Sequence, residues 1–187
     1  MASIFRRAAM PFDGVSFWQL KREGRSTQQA LEEMGFSPAK SDKMADEWAS
    51  QVESPYWLGY DQPFEGVSDK LEKLTETRRV SLALITARKN EGLFRHQLRA
   101  LGLAKFFFKK ICVSPIYPMP AKAQVLREMM PFIYIGDTES DCQAAALANV
   151  RFAAVTSGQR SSVFLKKISD NTAEDIVHFF DSNEIKA

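Results

Sequence analysis

The chain has 187 residues, which is enough for one main domain and a modest insertion. Its 45% hydrophobic and 26% charged residues are typical of a water-soluble globular protein, and no apolar run approaches the ~18 residues of a membrane span. The formal net charge of +2 is too small to indicate a nucleic-acid or membrane partner. Cys112 and Cys142 lack metal-binding or redox spacing, so they predict reduced thiols in a cytoplasmic protein.

The first part of the chain predicts a short strand followed by helices. Residues 8–12 are expected to form the strand, which ends at Asp13. Ser26 or Thr27 is expected to cap the next helix and Ser41 the one after it. The helices are expected at residues 27–34, 41–52 and 67–77, with a loop or short turn at residues 55–60.

From residue 80 onward, strands and helices alternate in the prediction. Strands are expected at residues 80–86, 111–113, 132–135 and 152–156, with helices at residues 91–101, 121–130 and 138–149. This order predicts βαβ units with right-handed crossovers, and hence an α/β, Rossmann-like fold with a parallel sheet and helices on both faces. Residues 17–64 contain no clear strand, so they predict a small helical insertion into a core formed by residues 1–16 and 65–187.

The most informative motif joins a buried strand to a helix. An apolar run ends in Gly136-Asp137-Thr138, and Asp141 follows four residues after Asp137. Asp137 is therefore expected at the carboxyl end of a strand, where open α/β sheets bind ligands, and Asp141 about one helical turn further on. Two carboxylates beside a helix start suit Mg²⁺, which is held by one or two carboxylates together with water and phosphate. The alternative is an Asp or Thr that only caps the helix, with Asp141 in solvent.

Three further polar residues follow strands of the predicted sheet. Asp13 follows the first strand, Thr86 ends the second, and Lys122 begins the helix after the third. In a doubly wound sheet such positions line one crevice, so we expect these side chains to converge with Asp137 and Asp141. A lysine, a hydroxyl and Mg²⁺ would together bind a phosphoryl group. Each residue alone has an ordinary explanation: Asp13 forms a turn, Thr86 caps a helix and Lys122 is solvated.

A family resemblance rests on four segments, at residues 81–88, 94–103, 122–126 and 136–141. Together they resemble the haloacid dehalogenase-like superfamily, mainly its phosphatase branch, from about residue 8 to residue 158. The resemblance implies a parallel-sheet core with a helical cap inserted after the first motif, here residues 17–64. It also implies that Asp137 and Asp141 bind Mg²⁺, and that Thr86 and Lys122 bind phosphate.

The first motif departs from the form usual in that family. The family has Asp-x-Asp-Gly-Thr/Val, in which the first Asp attacks phosphorus and the second transfers the proton. Here Pro11 stands at the nucleophile's position and Asp13, Gly14 and Val15 match the second half. Proline supplies neither a nucleophile nor a carboxylate for Mg²⁺. In the alternative register Asp13 is the nucleophile, which leaves Val15 at the position of the proton donor.

Two functional hypotheses follow, because the expected metal- and phosphate-binding residues are present whereas Pro11 stands at the nucleophile's position. The first is a phosphatase-like protein with weak or no hydrolase activity, which binds Mg²⁺ with reduced affinity and also binds a small phosphorylated ligand or a protein partner. The second is an active Mg²⁺-dependent phosphoester hydrolase that uses Asp13 as nucleophile or base. In both, the candidate catalytic residues are Asp13, Thr86 and Lys122, and the candidate metal ligands are Asp13, Asp137 and Asp141.

Overall fold

The computed structural model describes residues 13–76 and 80–182. The strand expected at residues 8–12, which includes Pro11, lies outside these ranges. Within them, parallel strands alternate with helices from residue 82 onward, which confirms the α/β, Rossmann-like prediction. Every helix in the described part of the chain is too short or too polar to cross a membrane.

Five helices precede the first described strand. They are α1 (Gly14–Arg22), α2 (Thr27–Glu33), α3 (Pro38–Gln51), α4 (Pro55–Leu58) and α5 (Val67–Glu76). The predicted cap at Ser26 is confirmed. The Ser26 hydroxyl accepts a hydrogen bond from the Gln29 amide at 3.1 Å, and the Gln29 side chain accepts one from the Ser26 amide at 2.9 Å. These reciprocal bonds satisfy two amides that the start of a helix leaves without partners.

One prediction in this region is wrong. The third helix begins at Pro38 rather than after Ser41, because proline fits the first turn of a helix, where its missing N–H costs nothing. Ser41 is fully buried inside that helix, and its hydroxyl has no hydrogen-bond partner among the described residues. The segment at residues 55–60, expected as a loop or short turn, contains the single helical turn α4, which again begins at a proline.

A 3-10 helix (Ala104–Phe106) and ten further elements, five strands and five α-helices, follow in the rest of the described chain. The ten are β1 (Leu82–Ala87), α6 (Glu91–Ala100), β2 (Phe107–Val113), α7 (Pro118–Met129), β3 (Tyr134–Gly136), α8 (Glu139–Ala148), β4 (Phe152–Val155), α9 (Ser162–Leu165), β5 (Thr172–Ala173) and α10 (Ile176–Ser182). The predicted strands and helices between residues 80 and 156 are all present, with shifts of up to four residues at their ends. The elements after residue 156 are too short to have shown a periodic pattern.

All strand pairs in the described residues are parallel. β1 pairs with β2, and β4 lies between β3 and β5. The strands thus form two hydrogen-bonded groups rather than one continuous sheet within the described ranges. Each connection between paired strands passes through helical residues, as parallel pairing requires.

The core lies on both faces of the strands. Ile135 of β3 and Leu82 of β1 pack against a cluster that includes buried residues of α5 and α10. Tyr134 of β3 and Ile85 of β1 pack instead against buried residues of α7 and α8. Because neighbouring residues of a strand point to opposite faces, Tyr134 and Ile135 show that helices cover both faces of β3.

A separate apolar cluster holds the first three helices together. It consists of Phe17, Ala30, Leu31, Phe36 and Met44, with Leu20, Met34 and Trp48 packed against it. All of these residues fall within the range predicted as the helical insertion. The predicted boundary between residues 16 and 17 falls inside α1, however, so the division of the chain into a core and a cap stays a prediction.

Candidate functional site

The site is built where β3 ends and α8 begins. Thr138 caps α8: its hydroxyl accepts a hydrogen bond from the Asp141 amide at 3.3 Å and donates one to Asp141 Oδ2 at 2.7 Å. This pair of bonds fixes the Asp141 side chain against the first turn of its own helix. The amide groups at a helix start also favour a carboxylate there. The predicted helix start at Thr138 is confirmed.

Lys122 and Tyr134 hold the other oxygen of the same carboxylate. Lys122 Nζ donates to Asp141 Oδ1 at 2.6 Å, and the Tyr134 hydroxyl donates to the same atom at 2.7 Å. Asp141 is only 3% exposed. Three side-chain donors from α7, β3 and the α8 cap therefore converge on one buried carboxylate. The alternative interpretations, Asp141 in solvent on the first turn and Lys122 as a solvated helix residue, are wrong.

These contacts control the ionisation of the cluster. Burial on its own would raise the pKa of Asp141, but the Lys122 charge and the hydrogen bonds from Lys122, Thr138 and Tyr134 hold that pKa below its ordinary value. The pKa of Tyr134 is raised by its burial and by the charge and hydrogen bond of Asp141, with a further contribution from the charge of Asp137. Asp141 is therefore ionised and Tyr134 is a neutral hydrogen-bond donor at neutral pH.

Asp137 is the more accessible of the two carboxylates. Its Oδ2 atom accepts a hydrogen bond from the Gln159 amide at 2.7 Å, and no donor among the described residues contacts its Oδ1 atom. A β-carbon on Gly158 would lie 2.0 Å from Asp137 Oδ2, and one on Gly136 would lie 2.5 Å from Asp141 Cβ. Each carboxylate therefore occupies space that only a glycine leaves free.

Thr86 lies on a neighbouring part of the sheet without touching this cluster. It is half-buried near the carboxyl end of β1, opposite Cys112 of β2. The adjacent Ile85 packs into the apolar cluster that includes α7, the helix that carries Lys122. No hydrogen bond joins Thr86 to Lys122, Asp137 or Asp141 in the described residues. Its convergence with them stays a prediction.

Asp13 lies at the start of a different helix, α1. Its carboxylate caps α1 and accepts hydrogen bonds from the Val15 amide at 3.1 Å, the Ser16 amide at 3.0 Å and the Ser16 hydroxyl at 2.5 Å. The Ser16 hydroxyl and amide bonds lower the pKa of this exposed carboxyl. Asp13 is thus a helix cap rather than the turn former of the alternative interpretation. It lines an open cavity of about 600 Å³ together with Ser16, Gln19, Leu20, Glu33, Met34 and Phe36.

The described side chains supply a carboxylate pair rather than a complete metal cage. Among residues 13–76 and 80–182, no three Asp, Glu, His or Cys side chains are grouped so that they could hold a metal ion. The structure thus does not place Asp13 with Asp137 and Asp141 in such a group, and the three-carboxylate site stays a prediction. The donor chemistry of the pair still suits Mg²⁺, because Asp137 offers a carboxylate oxygen without a hydrogen-bond donor.

Two residues of the site were missed in the sequence. Tyr134 was interpreted only as part of an apolar strand, because nothing in the run of residues 132–135 shows that its hydroxyl meets a carboxylate. Gly158 lies 21 residues after Asp137, and no local pattern links the two. The alternation of side chains along β3 could have indicated that Tyr134 shares a face with the helix carrying Lys122.

The sequence also matches a known family along most of its length. A family model described as haloacid dehalogenase-like hydrolase matches residues 18–155, which is more than half of the chain. The chain belongs to this family. The match contains Thr86, Lys122, Asp137 and Asp141, whereas Asp13 and the rest of the first motif precede it. No curated protein sequence matches the chain significantly.

Solved structures, some of them described as haloacid dehalogenase-like, are similar to the chain. A hydrolase of this family from Streptococcus pneumoniae has a TM-score of 0.65 at 18% identity, over 93% of this chain and 83% of that one. A predicted phosphatase from Clostridium acetobutylicum has a TM-score of 0.68 at 16% identity, over 96% and 86%. Protein tyrosine kinase A from Mycobacterium tuberculosis has a TM-score of 0.64 at 18% identity, over 96% and 86%. Since these proteins are named for different activities, the likeness shows the fold and not the reaction.

Proposed function

We propose that this haloacid dehalogenase-like chain binds Mg²⁺ and a phosphorylated ligand at Lys122, Asp137 and Asp141, and hydrolyses phosphoesters weakly or not at all. The observation that carries the proposal is the buried Lys122–Asp141 pair, held by Tyr134 and Thr138 beside the accessible Asp137. A buried ion pair is seldom the most stable choice for a protein core. Its presence at the carboxyl end of a strand favours a role in binding.

The charges of this site favour a divalent cation. Lys122 contributes one positive charge, and Asp137 and Asp141 contribute two negative charges, so one carboxylate is left without a counter-charge. We expect Mg²⁺ to bind at Asp137, with the Asp141 charge beside it. A bound Mg²⁺ would neutralise the negative charge of the phosphoryl oxygens. Lys122 and, if the crevice forms as expected, the Thr86 hydroxyl would hold the same phosphoryl group.

Weak or absent hydrolysis is proposed from the first motif. Covalent phosphoryl transfer in this family begins with an aspartate, and Pro11 occupies that position by resemblance. Asp13 is a poor substitute as a base, because three hydrogen bonds engage its carboxylate and its pKa is lowered. The remaining parts would support the binding of a phosphorylated small molecule or of a partner protein.

The second candidate is an active hydrolase that uses Asp13. One observation favours it: Asp13 is exposed at the edge of the cavity of about 600 Å³, where a substrate could reach its carboxylate. In this case a water molecule or Asp13 itself would attack phosphorus, and Asp13→Asn would abolish turnover.

Calorimetry tests the proposed binding. Wild-type protein is titrated with MgCl₂, alone and with inorganic phosphate present, and Asp137→Asn is the matched variant because it removes one charge and keeps the size of the side chain. We expect Mg²⁺ binding that is strengthened by phosphate and lost in Asp137→Asn. We also expect affinity weaker than micromolar for Mg²⁺ alone, because Pro11 removes a carboxylate ligand. Equal heats for both proteins would overturn the proposed site.

A further inference from the structure

The segment from Thr156 to Ser161, which follows β4, is held by the C-terminal end of α1. The Arg22 guanidinium donates from Nη1 to the Gly158 carbonyl and from Nη2 to the Thr156 carbonyl, both at 2.9 Å. The Ser161 amide donates to the Arg22 carbonyl at 2.9 Å. Arg22 is therefore joined to this segment by three hydrogen bonds, across more than 130 residues of sequence.

A second arginine ties the same segment to α8. Arg160 is 7% exposed, and its Nε and Nη2 atoms each donate to the Glu139 carboxylate at 2.7 Å. Its Nη1 atom donates to the Lys21 carbonyl at 2.8 Å. Glu139 is the first residue of α8 and follows the Thr138 cap. One guanidinium thus connects α1, the segment after β4 and the helix start of the site.

Asp137 lies against the part of the segment between these two arginines. The Gln159 amide donates to Asp137 Oδ2, and Gly158 leaves the space that this oxygen occupies. Arg22 binds the carbonyl of Gly158, and Arg160 is the residue after Gln159. A shift of this segment would therefore move the donor that orients Asp137.

We propose that Arg22 and Arg160 are positioning residues for Asp137, which hold the Thr156–Ser161 segment so that Gln159 and Gly158 orient that carboxylate. The proposal rests on the proposed metal-binding function of Asp137. Arg22 can do this because its planar guanidinium presents two donors in a fixed fork, which lysine cannot reproduce. Partners that orient metal ligands in this way typically contribute at least about tenfold to metal affinity.

The test compares Arg22→Gln with Arg25→Gln. Arg25 lies three residues further along the chain and is partly exposed, and its guanidinium pairs with Glu33 of α2. Replacing Arg25 should therefore leave the Thr156–Ser161 segment in place. Two quantities are measured for each: the Mg²⁺ affinity by calorimetry, and the chemical shift of the Gln159 amide by NMR. Asp137→Asn identifies the part of that shift that depends on the carboxylate.

We expect Arg22→Gln to weaken Mg²⁺ binding by about tenfold or more and to move the Gln159 amide in the direction seen in Asp137→Asn. Arg25→Gln should change neither. Arg160→Lys keeps the charge but loses the two-donor contact with Glu139, and it should give a smaller change of the same kind. It provides the test if Arg22→Gln does not fold.

Three outcomes would be contrary to expectation, and they are distinguishable. If wild-type protein binds Mg²⁺ and the folded arginine variants bind it within twofold of Arg25→Gln, with the Gln159 amide unmoved, the positioning role is wrong. If wild-type protein binds no Mg²⁺, the proposed function fails, and the Gln159 shift alone still decides whether the arginines orient Asp137. A lowered Tm with both readouts unchanged would show a purely structural role and would equally overturn the inference.

Discussion

The start of α1 and the start of α8 use the same capping chemistry in opposite surroundings. At α1, Asp13 is the cap itself, and its exposed carboxylate accepts hydrogen bonds from Val15 and Ser16 of its own first turn. At α8, Thr138 is the cap, and Asp141 in the first turn is buried. Burial removes water from Asp141, so other parts of the chain must satisfy its charge.

That requirement explains why donors from several elements converge on Asp141, whereas the described residues that bond to Asp13 lie in its own first turn. Lys122 and Tyr134 reach Asp141 from a different helix and from the preceding strand. Asp13 is exposed to solvent and accepts hydrogen bonds from residues of its own turn. Within the described ranges, no residue outside that turn bonds to it. A carboxylate at the helix start is thus common to α1 and α8. What distinguishes the α8 start is the set of donors that burial makes necessary.

The largest effect is expected from Lys122→Met, which leaves Asp141 buried without its counter-charge. Removing one member of a buried ion pair typically costs about 3–5 kcal/mol of unfolding free energy, and the Lys122 side chain is 12% exposed. The pKa of Asp141 should rise as well. Urea unfolding at pH 7 measures the loss. Lys105→Met is the matched control, because Lys105 pairs with Glu72 on the surface, where about 0–1 kcal/mol is expected. Equal losses of unfolding free energy in Lys122→Met and Lys105→Met would contradict the contrast between the buried and the exposed ion pair.

An intermediate effect is expected from Gly158→Ala. The added methyl group would meet Asp137 Oδ2 at 2.0 Å, so the carboxylate or the segment must move, at a cost of about 1–3 kcal/mol. Mg²⁺ binding should fall with it. The control is Gly92→Ala in α6, where the methyl group meets only Asn90 Oδ1 at 3.2 Å. Calorimetry and thermal unfolding of both variants check this, and unchanged Mg²⁺ binding in Gly158→Ala would show that Asp137 is not held as described.

Acid should remove part of the stability at the α8 start. The folded-state pKa of Asp141 is lowered from the ordinary 3.8, so its contribution is present above that pH and is lost as the pH falls through the folded pKa. One such group changes the unfolding free energy by at most about 1.4 kcal/mol per pH unit. Unfolding curves of wild type and Asp141→Asn between pH 5 and about pH 2 should therefore differ in slope below 3.8. Parallel curves would show that Asp141 titrates normally in the folded protein.

The smallest effects are expected at Asp13. Asp13→Ala removes a helix cap and should lower the Tm. The fall should be several-fold smaller than the fall caused by Lys122→Met. Asp13→Asn should restore that Tm, because Asn caps a helix about as well as Asp. Thermal unfolding at pH 7 measures both. A loss of stability in Asp13→Asn as large as in Lys122→Met would show that the Asp13 charge has a buried partner.

The sequence predicted the parts of the site that depend on local order. The apolar run at residues 132–135 was enough to place Asp137 at a strand end and Asp141 about one helical turn further on. The alternation of elements placed Lys122 on the preceding helix. Tyr134, Gly158 and Arg22 could not be predicted in the same way. Gly158 and Arg22 act through contacts between segments far apart in the chain, and such contacts leave no spacing in the sequence. Tyr134 is close to Asp141 in the chain, but an apolar run does not show that its hydroxyl meets a carboxylate.

The fold shows the same division between local and distant information. Adjacent residues alone narrowed one cap to Ser26 or Thr27, of which Ser26 is the cap, and placed the start of another helix near Thr138. The start of α3 at Pro38 was missed because Ser41 offered a competing cap signal, although its hydroxyl is buried inside the helix. The two-residue strand β5 pairs with β4 only after the chain has folded, and two residues carry no periodicity.

The most direct test of the proposed function is the turnover of a small phosphomonoester with Mg²⁺ by wild-type protein, Pro11→Asp and Asp13→Asn. In the proposed function, Asp137, Asp141 and Lys122 supply metal and phosphate binding, and the attacking carboxylate is the part that Pro11 replaces. We predict little or no phosphate release by wild type and measurable release by Pro11→Asp, limited by how well the new carboxylate is aligned for attack. Brisk release by wild type that Asp13→Asn abolishes would contradict this and assign the chemistry to Asp13.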